Sequence, residues 1–272
     1  MKYNDTIQRF ILENTDLRGE LVYLGDSLNA IMQQHEYPPF IRQCLGEVLL
    51  ASVLLRAIIK VKGVLTIQLQ SEGAIRLLVA KCDNNYHMRG LAQWDEKAPE
   101  SAFQHAIGAG NLIVTVMPDN RVEPFQSIVP LNKKTVASAL EDYFIQSEQL
   151  TTKLWLTVNE QQAVGILLQK MPTSMPKETS TAKWFDLSET DLLVKIFEED
   201  VVRLFQSEVV RFRCSCSVLK MADQVRLLGE KEARIILLTN RSVTVTCEFC
   251  NQQHDFSKAD IEQIFAGKFT GH

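Results

Sequence analysis

The chain has 272 residues, 46% of them hydrophobic and 23% charged, with a formal net charge of -4 and a pI near 5.8. That length can bury a substantial core without covalent staples. The acidic balance argues against a general nucleic-acid binder, which would carry a basic face or stripe.

At the N-terminus, MKYNDTIQRFILENTD contains no apolar run of signal-peptide type. Within it, Ile7, Phe10 and Ile11 have the spacing of a short amphipathic helix, and GELVYLG then alternates as a strand does. Pro38 and Pro39 stand where a helix can begin, because its first turn needs no N–H donor. PPFIRQCLGEVLLASVLLRAIIK is apolar around most of its circumference and predicts a buried helix. Its apolar run is broken by Arg56, Lys60 and Lys62, well short of the ~20 residues that span a bilayer, so no membrane span is expected.

After Gly63 the hydrophobic period changes to two. VLTIQLQSEGAIRLLVAKCDNNYHMRGLAQW predicts three strands, with turns at Ser71–Gly73 and Asp83–Asn85. NLIVTVMPDNRVEPFQSIVPL predicts a strand pair turning near Pro118–Asn120, and TVASALEDYFIQSEQ a helix. KLWLTVNEQQAVGILLQKM predicts a hairpin turning at Asn159–Gln161. The fold class expected is α+β, an N-terminal body over residues 1–178 with a mainly antiparallel sheet. Nothing in it has the spacing of a phosphate loop or a nucleophile elbow, so neither an enzyme nor an ATP-driven machine is expected.

The stretch 171–183, MPTSMPKETSTAK, reads as a linker. Ser188 and Asp191 then form a capping-box pattern, followed by Leu192, Leu193, Ile196, Phe197, Val201, Leu204 and Phe205 at helical spacing. This predicts a helical linker over 179–213, a helix or helix pair lying outside the body.

Four of the six cysteines fall in the last quarter, as Cys214 with Cys216 and Cys247 with Cys250. In a reducing compartment clustered thiols are more often metal ligands or redox groups than structural disulfides. Two tight pairs from separate parts of a small fold supply the four soft ligands of tetrahedral zinc. A permanent structural zinc site, a zinc site that is also a redox switch, a thioredoxin-type catalyst and a chance grouping of buried thiols all remain open on spacing alone. Against the catalyst, its motif belongs after a strand in a βαβ unit, and it leaves Cys214 and Cys216 unexplained. His254, four residues past Cys250, is a further possible ligand; His35, His87, His105 and His272 have no ligand or triad spacing. Cys44 and Cys82 are expected as small packing residues. Arg211, Arg213 and Lys220 are either solvated charge or cations that lower the pKa of Cys214 and Cys216.

The rest of 214–272 reads as a minidomain. SVLKMADQVRLLG presents Val218, Met221, Val225 and Leu228 on one helical face, and EKEARIILL continues as a second helix. RSVTVTCEFCNQQHDFS predicts a hairpin with the second cysteine pair at its turn. FSKADIEQIFAG predicts a helix with Ser257 as N-cap, Asp260 at N3, a Phe256–Ile261 staple and Gly267 at its stop.

RFRCSCS, thirty intervening residues and VTCEFCNQQHDFSKADIEQIF together resemble the redox-switch region of the bacterial 33 kDa chaperonin family, the oxidation-activated heat-shock holdases. The body segments KGVLTIQLQSEGAIRLLVAKC, FQSIVPL, ALEDYFIQSEQL and VGILLQKMP resemble that family in the same order. The resemblance implies a cytoplasmic, ATP-independent chaperone that binds unfolding client proteins under oxidative stress. It implies one Zn2+ held by Cys214, Cys216, Cys247 and Cys250 in the reduced, inactive form. It also implies Cys214–Cys216 and Cys247–Cys250 disulfides on oxidation, loss of zinc, and a homodimer in the active state. The sequence departs from the family at Ser217-Val218-Leu219-Lys220 and at Asn240-Arg241, neither of which touches a ligand position. The alternative reading is a structural zinc-ribbon protein that binds nucleic acid or a protein partner.

Overall fold

Strand β1 (Thr6–Glu13) pairs antiparallel with β2 (Leu17–Leu24), placing Ile7 opposite Val22 and Phe10 opposite Gly19. The helix expected at Ile7–Ile11 is therefore a strand. Ile7 belongs to one apolar core, whereas Phe10 and Leu12 belong to another on the opposite face. A strand buried on both sides loses its alternation and imitates helical spacing. Gly19 admits the Phe10 ring, with which a Cβ there would collide.

The computed structural model describes residues 5–13, 17–95, 103–120, 123–170, 185, 187–197 and 200–271. They fall into two compact units, 1–213 and 214–272. The Pro/Ser/Thr-rich stretch 171–183, the expected boundary at 178 and His272 lie outside the described residues.

In the larger unit, α1 (Asp26–Met32) is anchored by Asp5, whose carboxylate accepts from the N–H groups of Gly25 and Ser27. Helix α2 (Pro39–Ile58) begins at the double proline and is buried over most of its length. The strands that follow are β3 (Gly63–Ser71), β4 (Ile75–Cys82) and β5 (His87–Trp94). After the short helix α3 (Phe103–Ile107) come β6 (Gly110–Pro118) and β7 (Phe125–Pro130). Helix α4 (Val136–Tyr143), capped by Thr135, runs on into a π-helical turn at Phe144–Glu148. The hairpin β8 (Thr152–Val158) and β9 (Ala163–Lys170) completes the body.

Two sheets sandwich α2. One runs β8–β9–β2–β1, and the other β5–β4–β3–β6–β7, with every one of these pairings antiparallel. Close approach needs glycine on both sides. A Cβ at Gly90 would lie 2.9 Å from Leu49 Cδ2, and one at Gly165 would lie 3.1 Å from Leu54 Cδ1. Among the described residues no helix is long and apolar enough to cross a membrane.

The segment 188–212 departs from expectation. Its helix, α5, spans only Glu189–Ile196, with Ser188 Oγ accepting from Asp191 N–H at 3.2 Å. The remainder forms short strands: β10 (Val201–Leu204) and β11 (Glu208–Val209) on the edge of β1, and β12 (Arg211–Phe212) parallel to β5. Nor does α5 lie outside the body. Leu192, Leu193 and Phe197 are buried against Phe10, Leu21, Tyr23, Val164 and Ile166 on the outer face of the first sheet. The helical periodicity ended where unpaired edges of β1 and β5 offered backbone partners, and ladder hydrogen bonds won over local propensity.

The smaller unit contains α6 (Val218–Leu228), α7 (Glu230–Thr239), the hairpin β13 (Val243–Thr246) and β14 (Gln253–Phe256), and α8 (Lys258–Phe265). Its fully buried core is small: Ala222, Val225, Ala233, Val243, Phe256, Ile261 and Ile264. The expected staple is present in Phe256 and Ile261, but Leu228 is 45% exposed, and Ala222 takes the core position instead.

Candidate metal and redox centre

The two cysteine pairs are presented by two different local structures. Cys214 and Cys216 lie on the short connection between β12 and α6, which ends where Ser217, itself extended, caps α6, its Oγ accepting from Lys220 N–H at 3.3 Å. Extended backbone projects alternate side chains to the same side, so residues i and i+2 can face one centre. Cys247 and Cys250 sit on a tight turn between β13 and β14. There Cys247 C=O accepts from Asn251 N–H at 2.8 Å, and Cys247 N–H donates to Gln252 C=O at 2.9 Å. Closing that turn puts Asn251 in the left-handed region (φ 52°), which asparagine tolerates better than most residues.

The four sulfurs converge. All lie within 4.8 Å of one another, with Cys214 Sγ 3.6 Å from Cys247 Sγ and Cys216 Sγ 3.5 Å from Cys250 Sγ. Zn–S bonds of about 2.3 Å in a tetrahedron place sulfurs roughly 3.8 Å apart, so four soft donors at this spacing fit a tetrahedral zinc ion. Cys247 is buried and the other three are half-buried, which leaves the centre open to small reagents.

Electrostatics agree with that fit. Burial pushes the Cys216 thiol up, reinforced by the thiols of Cys250 and Cys214; burial likewise raises Cys250. Four negative sulfurs in this volume need a central cation to exist together. Lys220 Nζ donates to Ser215 C=O at 2.6 Å, and the Cys216 shift is upward rather than downward.

Gln252 is a site residue that sequence reasoning missed. Its side-chain carbonyl is placed 3.5 Å from Cys216 Sγ; with the amide turned, its NH2 would face a thiolate there. A glutamine two residues past a Cys-x-x-Cys pair carries no motif, so only the folded turn reveals it. His254 is not in the four-sulfur group. It lies on β14 opposite Val245, with its Nε2 buried and without a hydrogen-bond partner. His87 clips the Asp83 turn at 3.0 Å, and His35 packs on Tyr37; neither belongs to the four-thiol group. Cys44 and Cys82 are buried packing residues whose thiols burial raises, as the sequence suggested.

A helix enclosed by two antiparallel sheets, with a separate small unit organised round four convergent thiols, defines an α+β protein carrying a four-cysteine candidate metal site. The comparisons name the family. Residues 5–257 match the Hsp33 protein family. The 33 kDa chaperonin of Nitrosococcus oceani is 39% identical over 97% of this chain and 96% of its own length. That of Methylobacillus flagellatus is 34% identical, with the same shares covered. The crystal structure of the 33 kDa chaperonin of Thermotoga maritima shares the fold, with a TM-score of 0.84 over 98% of this chain and 99% of that one, at 22% identity. The chain belongs to the Hsp33 family.

Proposed function

We propose that this chain is a redox-regulated, ATP-independent holdase of the cytoplasm. In the reduced state Cys214, Cys216, Cys247 and Cys250 hold one zinc ion and the chain is inactive. The observation that carries this reading is the convergence of four sulfurs within 4.8 Å in a unit whose buried core is only seven residues. A core in a unit below about 70 residues rarely supplies more than 3–5 kcal/mol, whereas binding of a structural zinc contributes on the order of 10–16 kcal/mol. Order in residues 214–272 therefore depends on the thiols.

Peroxide is the natural trigger class. A thiolate attacks one peroxide oxygen, giving a sulfenic acid and releasing hydroxide; a second thiol then displaces water to form the disulfide. Each neighbour pair consumes one peroxide, so Cys214–Cys216 and Cys247–Cys250 require two. The resulting loops contain one and two intervening residues, and such links constrain the unfolded chain little compared with the metal they replace. The smaller unit loses its staple and unfolds.

That loss reaches the larger unit along the backbone. Arg213 N–H donates to Met88 C=O at 3.1 Å, extending the β12–β5 pairing, and the next residue is Cys214. Peeling β12, β10 and α5 from the sheets would bare the apolar surface under α5 for unfolding clients, with residues 1–178 as the holding body. The active form is a homodimer, as the family resemblance implied. The experiment pairs zinc release by peroxide with suppression of client aggregation. Zinc loss, unfolding and holding should rise together and reverse with reductant and zinc; holding that is unchanged while zinc leaves would sink the reading.

A further inference from the structure

The larger unit has a second constructed feature that the thiols do not use. At one end of the core between the sheets is a cavity of about 460 Å3, within the range of small-molecule sites. Ile58 and Ile59 from the end of α2, Val114 and Val116 from β6, Phe125 from β7 and Phe144 form its apolar walls. Arg18 and Lys60, both exposed, stand at it as well, and no carboxylate lines it among the described residues.

Arg18 is held in place by a relay of neutral groups. Its Nε donates to Gln169 Oε1 at 3.1 Å and its Nη2 to the same oxygen; Gln169 Nε2 donates to Thr152 Oγ1 at 3.3 Å; Thr152 Oγ1 donates to Leu150 C=O at 3.4 Å. Gln169 and Thr152 are each only 2% exposed, so the relay is fixed inside the fold. An amide orients the guanidinium without neutralising it. Among the described residues, Glu20, which also feels the charge of Arg18, is paired with Arg9 at 2.7 Å, Glu141 with Lys153 at 2.9 Å and Asp142 with Lys133 at 3.0 Å. An oriented fork of positive charge beside an apolar cavity selects a ligand with a planar anionic head and a hydrocarbon tail.

We infer that this cavity binds a long-chain carboxylate of the fatty-acid class, tail against Val114, Val116 and Phe144 and head at Arg18 and Lys60. A peptide fits less well. It would bring an amide donor and acceptor with every residue, and the neutral polar side chains at the walls are only Ser127, Tyr143 and Gln169, the last already engaged by Arg18 and Thr152, too few to pair them all.

The test is calorimetric titration of the full chain, reduced and zinc-supplemented, with saturated acids from octanoate to palmitate below their micellar concentrations. One site per chain is expected, each added methylene tightening binding about fourfold until the cavity is full. Dodecanoate should bind about tenfold or more tightly than dodecanol, and that preference should vanish in an Arg18→Gln/Lys60→Gln variant. Val116→Phe should shorten the preferred chain; if that variant fails to fold, the charge variant still decides. Equal binding of dodecanol and dodecanoate by the parent chain would overturn the inference. So would no saturable binding of any acid, or binding of apolar peptides where the acids do not bind.

Discussion

Cys216 Sγ lies 3.5 Å from Cys250 Sγ across the smaller unit, a contact between positions 34 residues apart in the chain. The folded thiol centre is thus within reach of two oxidation patterns with opposite consequences. Links between sequence neighbours release the fold, whereas a Cys216–Cys250 link closes a long loop and holds it. In a chain-entropy model, that longer link stabilises by about 3–4 kcal/mol. A Cys214→Ser/Cys247→Ser variant retains only the cross-fold pair. Peroxide should therefore order residues 214–272 of this variant, with a gain of far-UV helical signal and no gain in holding. Unfolding of the oxidised variant would contradict the loop argument.

Leu193 and Phe197 are 1% and 3% exposed, on and at the end of a helix of about two turns that is held down by side-chain burial. Truncating buried residues of this kind costs about 2–5 kcal/mol. Leu193→Ala and Phe197→Ala should each lower the urea midpoint of the larger unit. On the proposed function they should also raise hydrophobic-dye binding and holding in the reduced, zinc-bound chain. All three tryptophans, Trp94, Trp155 and Trp184, precede residue 214, so intrinsic tryptophan fluorescence carries no signal from within the smaller unit.

Ser257 and Asp260 form a reciprocal capping box on α8: Ser257 Oγ accepts from Asp260 N–H at 3.3 Å, and Asp260 Oδ2 accepts from Ser257 N–H at 2.8 Å. Helix α8 supplies Ile261 and Ile264 to the small core. Ser257→Ala should destabilise that unit by about 1 kcal/mol. Its effect should be read as faster zinc release at fixed peroxide, with tryptophan-detected unfolding of the larger unit unchanged.

Burial on α2 pushes the Glu47 carboxyl up to about 7 from its ordinary 4.5, opposed by Gln43 Nε2, which donates to it at 3.1 Å. A raised folded-state pKa means that folding favours the protonated form. The stability it contributes is complete below about 4.5 and is lost as pH rises through about 7, with a slope of up to about 1.4 kcal/mol per pH unit. Glu47→Gln should flatten that slope in tryptophan-detected urea titrations and leave the variant about 1–3 kcal/mol more stable than the parent above neutrality. An unchanged slope would show that Glu47 is solvated in the folded chain.

Periodicity, turn residues and caps are local signals, and the elements they govern were legible without coordinates. The double proline opening α2, the Asp83–Asn85 turn, the Ser257–Asp260 cap and the paired cysteines all express chemistry confined to a few neighbouring residues. Only the tertiary structure decided what depends on distant partners. Ile7, Phe10 and Ile11 have helical spacing, yet they form a strand because α5 covers one face and the inter-sheet core covers the other. Val201–Phe212 carries a helical pattern, yet the open edges of β1 and β5 draw it into sheets. Likewise the placement of Gln252 against Cys216, and the relay that aims Arg18 at a cavity, are relations between residues far apart in sequence or set by one turn's geometry. Local spacing records what a residue can do; burial and edge pairing, which only the folded chain supplies, select among those possibilities.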